Sequence, residues 1–123
     1  MHSTNPYFMQ QEFKYVDISF LKNMTSNDPL IMSEIIQLFK MEVPKYMNDI
    51  YLHLNNKNWG ELSAAAHKAK SSFALMGINE SVSDLKDLEI KSKTQIDTDT
   101  FSSIVQNIER VYHEAMKELD TLI

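Results

Sequence analysis

Apolar residues recur at alternating steps of three and four along four long segments of the chain, which is the spacing that gathers side chains on one face of an α-helix. The segments start near Asp28, Asn58, Asn79 and Phe101, and short polar stretches separate them. Amphipathic helices joined by short connections pack in opposite directions beside their neighbours in the chain. The pattern therefore predicts an all-α fold, an antiparallel four-helix bundle with one or two short N-terminal helical elements.

The first long helix has clear sequence boundaries. Asp28 followed by Pro29 makes a favourable N-cap and first helical position. Its apolar stripe continues in register to about residue 55, so Pro44 is expected to bend this helix without ending it. The stripe consists of Ile35, Phe39, Val43, Tyr46, Ile50 and Leu54.

The later helix boundaries are predicted from capping residues. Asn58, with Glu61 three residues later, predicts a capping box at the start of the second helix, and Gly77 suits the position just past its end. Asn79 predicts the N-cap of the third helix. Residues 91–95 and 97–100 are polar and are expected to connect the third helix to the last one.

The N-terminal part of the chain is less regular. Residues 1–14 carry no clear pattern and are expected to be either partly ordered against the bundle or loose. A short helix is expected between Tyr15 and Met24, capped at Asp17. Residues 15–123 are long enough to enclose one core and are expected to form a single domain.

The second helix carries a histidine at the edge of its buried face. Its apolar stripe consists of Leu62, Ala66, Ala69, Phe73 and Met76. His67 follows Ala66 by about 100° around the helix, so the core holds its backbone while its ring reaches solvent. The neighbours one turn away are small, which leaves room for another macromolecule to approach the ring: Ser63, Ala64, Ser71 and Ala74.

Two lysines lie near this histidine. Lys70, three residues after His67, lies over the same patch of helix surface, and Lys68 adds positive charge nearby. An unperturbed imidazole is mostly neutral near pH 7 and is therefore a nucleophile, and a lysine offsets the charge of an anion held on it. The pair suits a histidine that carries a phosphoryl group, although a lone histidine with a lysine one turn later is also common on solvated helices. His53 and His113 each lie between charged residues and are expected to be solvated.

The wider pattern resembles the signature of histidine-containing phosphotransfer (HPt) domains of two-component phosphorelays. In that signature, Lys-Gly-Ser follows the phosphorylated histidine and a glycine closes the helix, and the matching residues here are His67, Lys70, Ser72 and Gly77. The Leu88-Glu89 pair and the arrangement of Tyr15, Asp17 and Leu21 are similar to other recurrent features of the family. Two positions depart from it, because Ser71 stands for the usual glycine and Ala69 for a large aliphatic residue.

The resemblance implies that His67 accepts a phosphoryl group from a receiver-domain aspartate and transfers it to another receiver aspartate. We expect Nε2 of His67 to react because it is the outer ring atom, with Lys70 offsetting charge on the phosphoryl oxygens, Ser71 or Ser72 donating a hydrogen bond, and Gly77 serving structure. The chain would then be a carrier and not an enzyme, without an ATP-binding or autokinase site. We expect it to bind no cofactor or metal, since magnesium belongs to the partner receiver domain.

Receiver docking is expected to use residues around the histidine. Met47 is included because the apolar residues near position 46 lie as far before the turn at 55–58 as His67 lies beyond it, although most of them are expected to be core. The candidate docking residues are Ser63, Ala64, Lys68, Ala74 and Met47.

Composition narrows the classes of partner and compartment. A formal net charge of −5 disfavours nucleic-acid binding, and the absence of cysteine excludes disulfides and thiolate metal sites. We find no signal peptide and no apolar window long enough to span a membrane. These observations predict a cytoplasmic monomer with neither nucleic-acid nor membrane partners.

Three other functional classes fit less well. An autonomous histidine kinase usually has an acidic residue where Lys68 stands and carries a glycine-rich ATP site, and a di-metal bundle enzyme needs paired Glu-x-x-His motifs that this chain lacks. The remaining alternative is a non-catalytic helical adaptor, or a degenerate HPt domain that binds a receiver without transfer. The presence of both His67 and Lys70 favours transfer.

Overall fold

A computed structural model describes residues 13–122 of the chain. Within that range the secondary structure is helical, without strands. One short helix precedes four long ones, and a single 3-10 turn at Thr98–Thr100 leads into the last of them. The helices are α1 (Ser19–Met24), α2 (Pro29–Asn55), α3 (Trp59–Leu75), α4 (Asn79–Thr94) and α5 (Phe101–Asp120).

The four long helices form a closed bundle. Each of α2, α3 and α4 packs against the helix that follows it, and α5 also packs against α2. Three-residue connections at 56–58 and 76–78 force α2, α3 and α4 to run antiparallel. The core lies on the bundle axis and includes the fully buried Ile50, Phe73 and Leu88. The predicted helical bundle, and the predicted stripe of α3, are therefore confirmed.

The start of α2 agrees with its sequence. The Asp28 carboxylate accepts hydrogen bonds from the backbone N–H groups of Leu30 and Ile31, and Pro29 takes the first helical position. The helix continues through Pro44, as predicted. Burial explains why it does not end there, because Val43 and Met47 on either side of the proline both face the core.

Two predicted capping arrangements and one predicted boundary are wrong in detail. Asn58 is the N-cap of α3, but its side chain makes no capping hydrogen bond, so the capping box with Glu61 does not form. Ile78, buried in the core, takes the N-cap of α4 and makes Asn79 the first helical residue. Residues 91–94 are helical because Ser92 is buried and its hydroxyl donates to the Leu88 carbonyl, which lets a polar sequence continue the helix.

The N-cap of α1 lies one residue after the predicted cap, Asp17, and the helix begins at Ser19. Ile18 is the N-cap, and the Asp17 carboxylate accepts a hydrogen bond from the Ser19 N–H over 3.0 Å. Hydrogen bonds from Ser19 lower the pKa of the Asp17 carboxyl group. Ile18 and Leu21 are buried, as the sequence predicts.

The segment before α1 is attached to the end of α5 through one carboxylate. Glu118 accepts backbone N–H hydrogen bonds from Lys14, Tyr15 and Val16, with shortest distances of 2.9 to 3.0 Å. Val16 is buried against the bundle. The prediction for residues 1–14 otherwise falls on 1–12, which lie outside the described residues.

The turn between α3 and α4 requires a glycine. Gly77 has φ +65°, and its N–H donates to the Ala74 carbonyl while the Ile78 N–H donates to the Phe73 carbonyl, which is the Schellman arrangement that ends a helix. The Gly77 carbonyl accepts a hydrogen bond from the Asp17 N–H. A Cβ atom at position 77 would lie 1.9 Å from the Asp17 carbonyl oxygen. The predicted role of Gly77 as the residue that closes α3 is therefore confirmed.

We predict that Gly77→Ala lowers the free energy of unfolding by about 2 to 4 kcal/mol, because it adds left-handed strain to a clash with rigid backbone. Urea unfolding followed by circular dichroism measures this change. Gly60→Ala is the matched control: Gly60 lies in the first turn of α3 with nothing within 4 Å of an added Cβ, so it should stabilise by up to about 1 kcal/mol. Equal midpoints for the two variants would contradict the prediction.

Candidate functional site

His67 lies on α3 at the edge of the buried face, where the sequence predicted it. Its side chain is 68% exposed, whereas Ala66 and Ala69 on either side are fully buried. The core therefore fixes the backbone beneath the ring and leaves the ring itself in solvent.

A carboxylate on α4 connects the histidine to the nearby lysine. Nδ1 of His67 lies 2.9 Å from Oε2 of Glu89, and the other oxygen, Oε1, accepts a hydrogen bond from Nζ of Lys70 over 2.8 Å. The Glu89 side chain is 24% exposed. His67 and Lys70, one turn apart on α3, thus share one acidic partner on the neighbouring helix.

Sequence reasoning missed this contact with Glu89. The pair Leu88-Glu89 stood out in the sequence only as a feature of the resemblance. A stronger signal was available, because His67 and Glu89 each lie eleven residues from Ile78 in the α3–α4 turn. In an antiparallel helical hairpin, residues equally distant from the turn lie side by side.

Charge keeps Glu89 ionised and fixes how it binds the ring. The hydrogen bond from Lys70, assisted by His67, lowers the pKa of the Glu89 carboxyl group. An ionised carboxylate only accepts hydrogen bonds. Nδ1 of His67 must therefore carry the hydrogen, and in the neutral ring Nε2 is left with the free lone pair. The arrangement presents a nucleophilic nitrogen on an exposed ring.

Ser63 contacts the backbone of Glu89 on the neighbouring helix. The prediction that Ser63 is a surface docking residue is therefore wrong. Ser63 is only 8% exposed, and its hydroxyl donates to the Glu89 backbone carbonyl over 2.8 Å. It is buried because α3 and α4 approach closely at this small residue. Ser63 therefore orients the carboxylate's helix and is not available at the surface.

Met47 is the second predicted docking residue that the structure moves away from the surface. It is 6% exposed and borders a groove between α2 and α5 with Pro44, Tyr112 and Met116. His67 instead lies where α3 meets α4. The distance of Met47 from the turn carried no information about which face of α2 it occupies.

The other predicted surface residues are accessible. Ala64, Lys68, Ser71 and Ala74 are exposed and Ser72 is half-buried. The Ser71 hydroxyl donates weakly, over 3.4 Å, to the Lys68 carbonyl of its own helix.

An apolar groove continues this surface beyond the histidine. Ser71, Ser72, Ala74 and Leu75 border it from α3, and Phe20 of α1, which is 60% exposed, closes it. Its volume is about 530 Å³. Phe20 was not singled out from the sequence, because nothing in a short helix indicates where it docks.

The other histidines have different surroundings. His113 is 63% exposed and lies 3.5 Å from Glu109, as expected for a solvated residue. His53 is half-buried, and its Nδ1 is buried without a hydrogen-bond partner within residues 13–122, so the expectation that its ring is solvated is wrong. His2 lies outside the described residues.

The described residues contain neither a metal-binding cluster nor a membrane-spanning helix. Across residues 13–122, no group of three or more His, Cys, Asp or Glu side chains is arranged to hold a metal ion. In the same range, none of the helices combines the length and the apolar character that crossing a membrane requires.

Comparison with known proteins identifies the family. The family model described as "Hpt domain" matches residues 34–120, which include the whole of α3, α4 and α5. No curated protein and no solved structure matches the chain. The match covers most of the chain and contains His67, Lys70 and Glu89. The chain therefore belongs to the Hpt domain family, whose general role is histidine phosphotransfer in phosphorelays through interaction with receiver domains.

Proposed function

We propose that His67 accepts a phosphoryl group from the aspartyl phosphate of one receiver domain and passes it to an aspartate of another. The observation that carries this proposal is the hydrogen bond between His67 Nδ1 and Glu89, because it leaves Nε2 unprotonated on a ring that is 68% exposed. A receiver has direct access to that nitrogen.

The transfer is an in-line displacement at phosphorus. The Nε2 lone pair forms the N–P bond while the P–O bond to the aspartate breaks, and the electron pair returns to the aspartate as a carboxylate. The ring becomes cationic, with the hydrogen still on Nδ1, and the Glu89 carboxylate stabilises that charge. Attack by a second receiver's aspartate reverses the same steps and restores the neutral ring.

Lys70 and the two serines are assigned supporting roles. Lys70 shares Glu89 with the ring, so its ammonium group is near enough to offset charge on the phosphoryl oxygens once the phosphate arrives. Ser71 and Ser72 border the same surface, and we assign one of their hydroxyls to a hydrogen bond with the phosphoryl group. Magnesium, in this proposal, is bound by the receiver.

The receiver is proposed to cover the exposed part of α3 and the groove next to it. Ala64 and Ala74 leave the ring open, Lys68 provides positive charge, and Phe20 adds apolar surface. A protein interface of this kind combines an apolar centre with a charged rim. The chain then supplies a nucleophile and a docking surface, and it acts as a carrier and not as an enzyme. A degenerate adaptor would use the docking surface alone.

We predict that His67→Gln abolishes labelling by a phosphorylated receiver, because it removes the accepting nitrogen. The free energy of unfolding should change by less than about 1 kcal/mol, since the ring is mostly in solvent. Acid-lability of the label and mass-spectrometric site mapping test this. His113→Gln is the matched control, being a similarly exposed histidine beside a glutamate, and it should label normally. Receiver binding without any label on the unaltered protein would support the degenerate adaptor instead.

We predict that Glu89→Gln slows phosphoryl acceptance by about tenfold or more, because a neutral amide no longer fixes the hydrogen on Nδ1. The ¹⁵N chemical shifts of the His67 ring should show a mixture of tautomers in this variant and a single tautomer in the unaltered protein. Glu114→Gln, which removes a surface pairing with Lys117, should leave both the rate and the shifts unchanged. An unaltered tautomer with a slower rate would refute the positioning role.

A pH prediction follows from the lowered pKa of Glu89. Its ionised form stabilises the folded state fully above its ordinary value of 4.5, and this contribution is lost as the pH falls through the lowered folded value. The stability of the unaltered protein relative to Glu89→Gln should therefore decrease in acid, as measured by urea unfolding at several pH values. Burial raises the pKa of the Asp84 carboxyl group, so Asp84→Asn should give a difference of the opposite sign.

A further inference from the structure

The outer face of α2 exposes an unusual amount of apolar surface. Five of its large apolar side chains are between 43% and 68% exposed. They lie opposite the buried face of the same helix, which includes Phe39, Val43 and Ile50. Contiguous exposed apolar surface on a small protein commonly marks an interaction site. The five residues are Leu30, Ile31, Leu38, Met41 and Leu52.

The spacing of this face is that of a helix which pairs with another helix. In a two-stranded coiled coil, the first and fourth positions of each seven-residue repeat form the contact seam between the helices. We call these seven residues the outer stripe of α2. The outer stripe consists of Ile31, Glu34, Leu38, Met41, Lys45, Asn48 and Leu52.

The outer stripe is complementary to itself when two copies run antiparallel. In that arrangement the set that contains Leu38 on one copy faces the set that contains Met41 on the other. Leu38 therefore lies opposite Met41 of the second copy. The same register puts Glu34 opposite Lys45 of the second copy, and two-fold symmetry repeats both contacts. The apolar pair thus lies at the centre with an opposite-charge pair on each side.

Other arrangements of the same stripe are less favourable. In a parallel pair, Glu34 would face Glu34 and Lys45 would face Lys45, which places like charges together. Shifting the antiparallel pair by one heptad puts Glu34 opposite either Leu38 or Leu52. Of these arrangements, only the register centred between Leu38 and Met41 pairs both charges and Leu38 with Met41, and it places Ile31 opposite Asn48 at each end.

The charges of the outer stripe are available for this pairing. Across residues 13–122, neither Glu34 nor Lys45 takes part in an ion pair, whereas Lys40 on another side of α2 is bound to Asp120. Both Glu34 and Lys45 are exposed.

We propose that the outer stripe of α2 binds a second copy of this chain, forming an antiparallel two-fold dimer. The paired seam runs from Ile31 to Asn48 and is about 26 Å long, which provides a contact along most of α2. His67 stays open in the dimer, because it lies on the side of α3 that faces α4. The proposal goes beyond phosphotransfer, does not depend on it, and replaces the monomer expected from the sequence.

Sedimentation velocity from about 1 μM to about 1 mM tests the dimer. The unaltered protein should shift reversibly from monomer to dimer across this range. Glu34→Lys alone and Lys45→Glu alone should each raise the dimer Kd by about tenfold, because each puts like charges opposite one another twice. The double variant restores opposite charges and should return the Kd to within about threefold of the original value.

Matched controls separate the interface from general charge effects. Glu61→Lys and Lys86→Glu change the same charges at exposed positions on α3 and α4 and should leave the dimer Kd unchanged. Met41→Ser should weaken the dimer, whereas Ile90→Ser, at a similarly exposed residue of α4, should not. Circular dichroism checks that each variant remains helical.

Three results would overturn the proposal. The first is an unaltered protein that stays monomeric at every concentration. The second is a dimer whose Kd does not respond to Met41→Ser. The third is a dimer weakened by both single charge reversals but not restored by the double variant, which would reject the antiparallel register.

Discussion

The close contact between the α3–α4 turn and the backbone at Asp17 determines where everything else in the site lies. Gly77 reverses the chain in a left-handed conformation, and no side chain fits between it and the Asp17 carbonyl. A turn this tight allows one register between the two helices. That register puts Glu89 beside His67, and it also determines how α1 meets the end of α3. The positions of the His67 ring and of the groove next to it both depend on this turn.

Glu89 connects the packing of the bundle to its chemistry. Ser63 binds its backbone carbonyl from the neighbouring helix, and its carboxylate divides between a ring nitrogen and a lysine. The two oxygens have different partners, since Oε2 lies 2.9 Å from Nδ1 of the imidazole and Oε1 accepts a hydrogen bond from the Lys70 ammonium group. Because the carboxylate stands on a different helix from the histidine, the arrangement exists only in the folded hairpin. A helix peptide carrying His67 would lack it.

The helices and the buried face of α3 could be read from the sequence, and the contacts between helices could not. Periodicity identified α3 and the exposure of His67 because both depend only on residues a turn apart. Glu89 and Phe20 were missed because each reaches the site from another helix, and Met47 was misplaced because level along a bundle does not specify a face. The caps at Asn58 and Asn79 failed for a related reason. Burial of Ile78 decided where α4 begins, and local hydrogen-bonding preference did not.

Glu118 accepts hydrogen bonds from the backbone N–H groups of residues 14–16, and this attachment indicates where the folding unit begins. The family match starts at residue 34, inside α2. Yet Val16, Ile18 and Leu21 are buried in the bundle, and their segment links the end of α5 to the α3–α4 turn. A fragment cut at residue 34, where the family match begins, would open the core at both places. The folding unit of this protein therefore includes residues before the matched region, and any excision or fusion has to keep them.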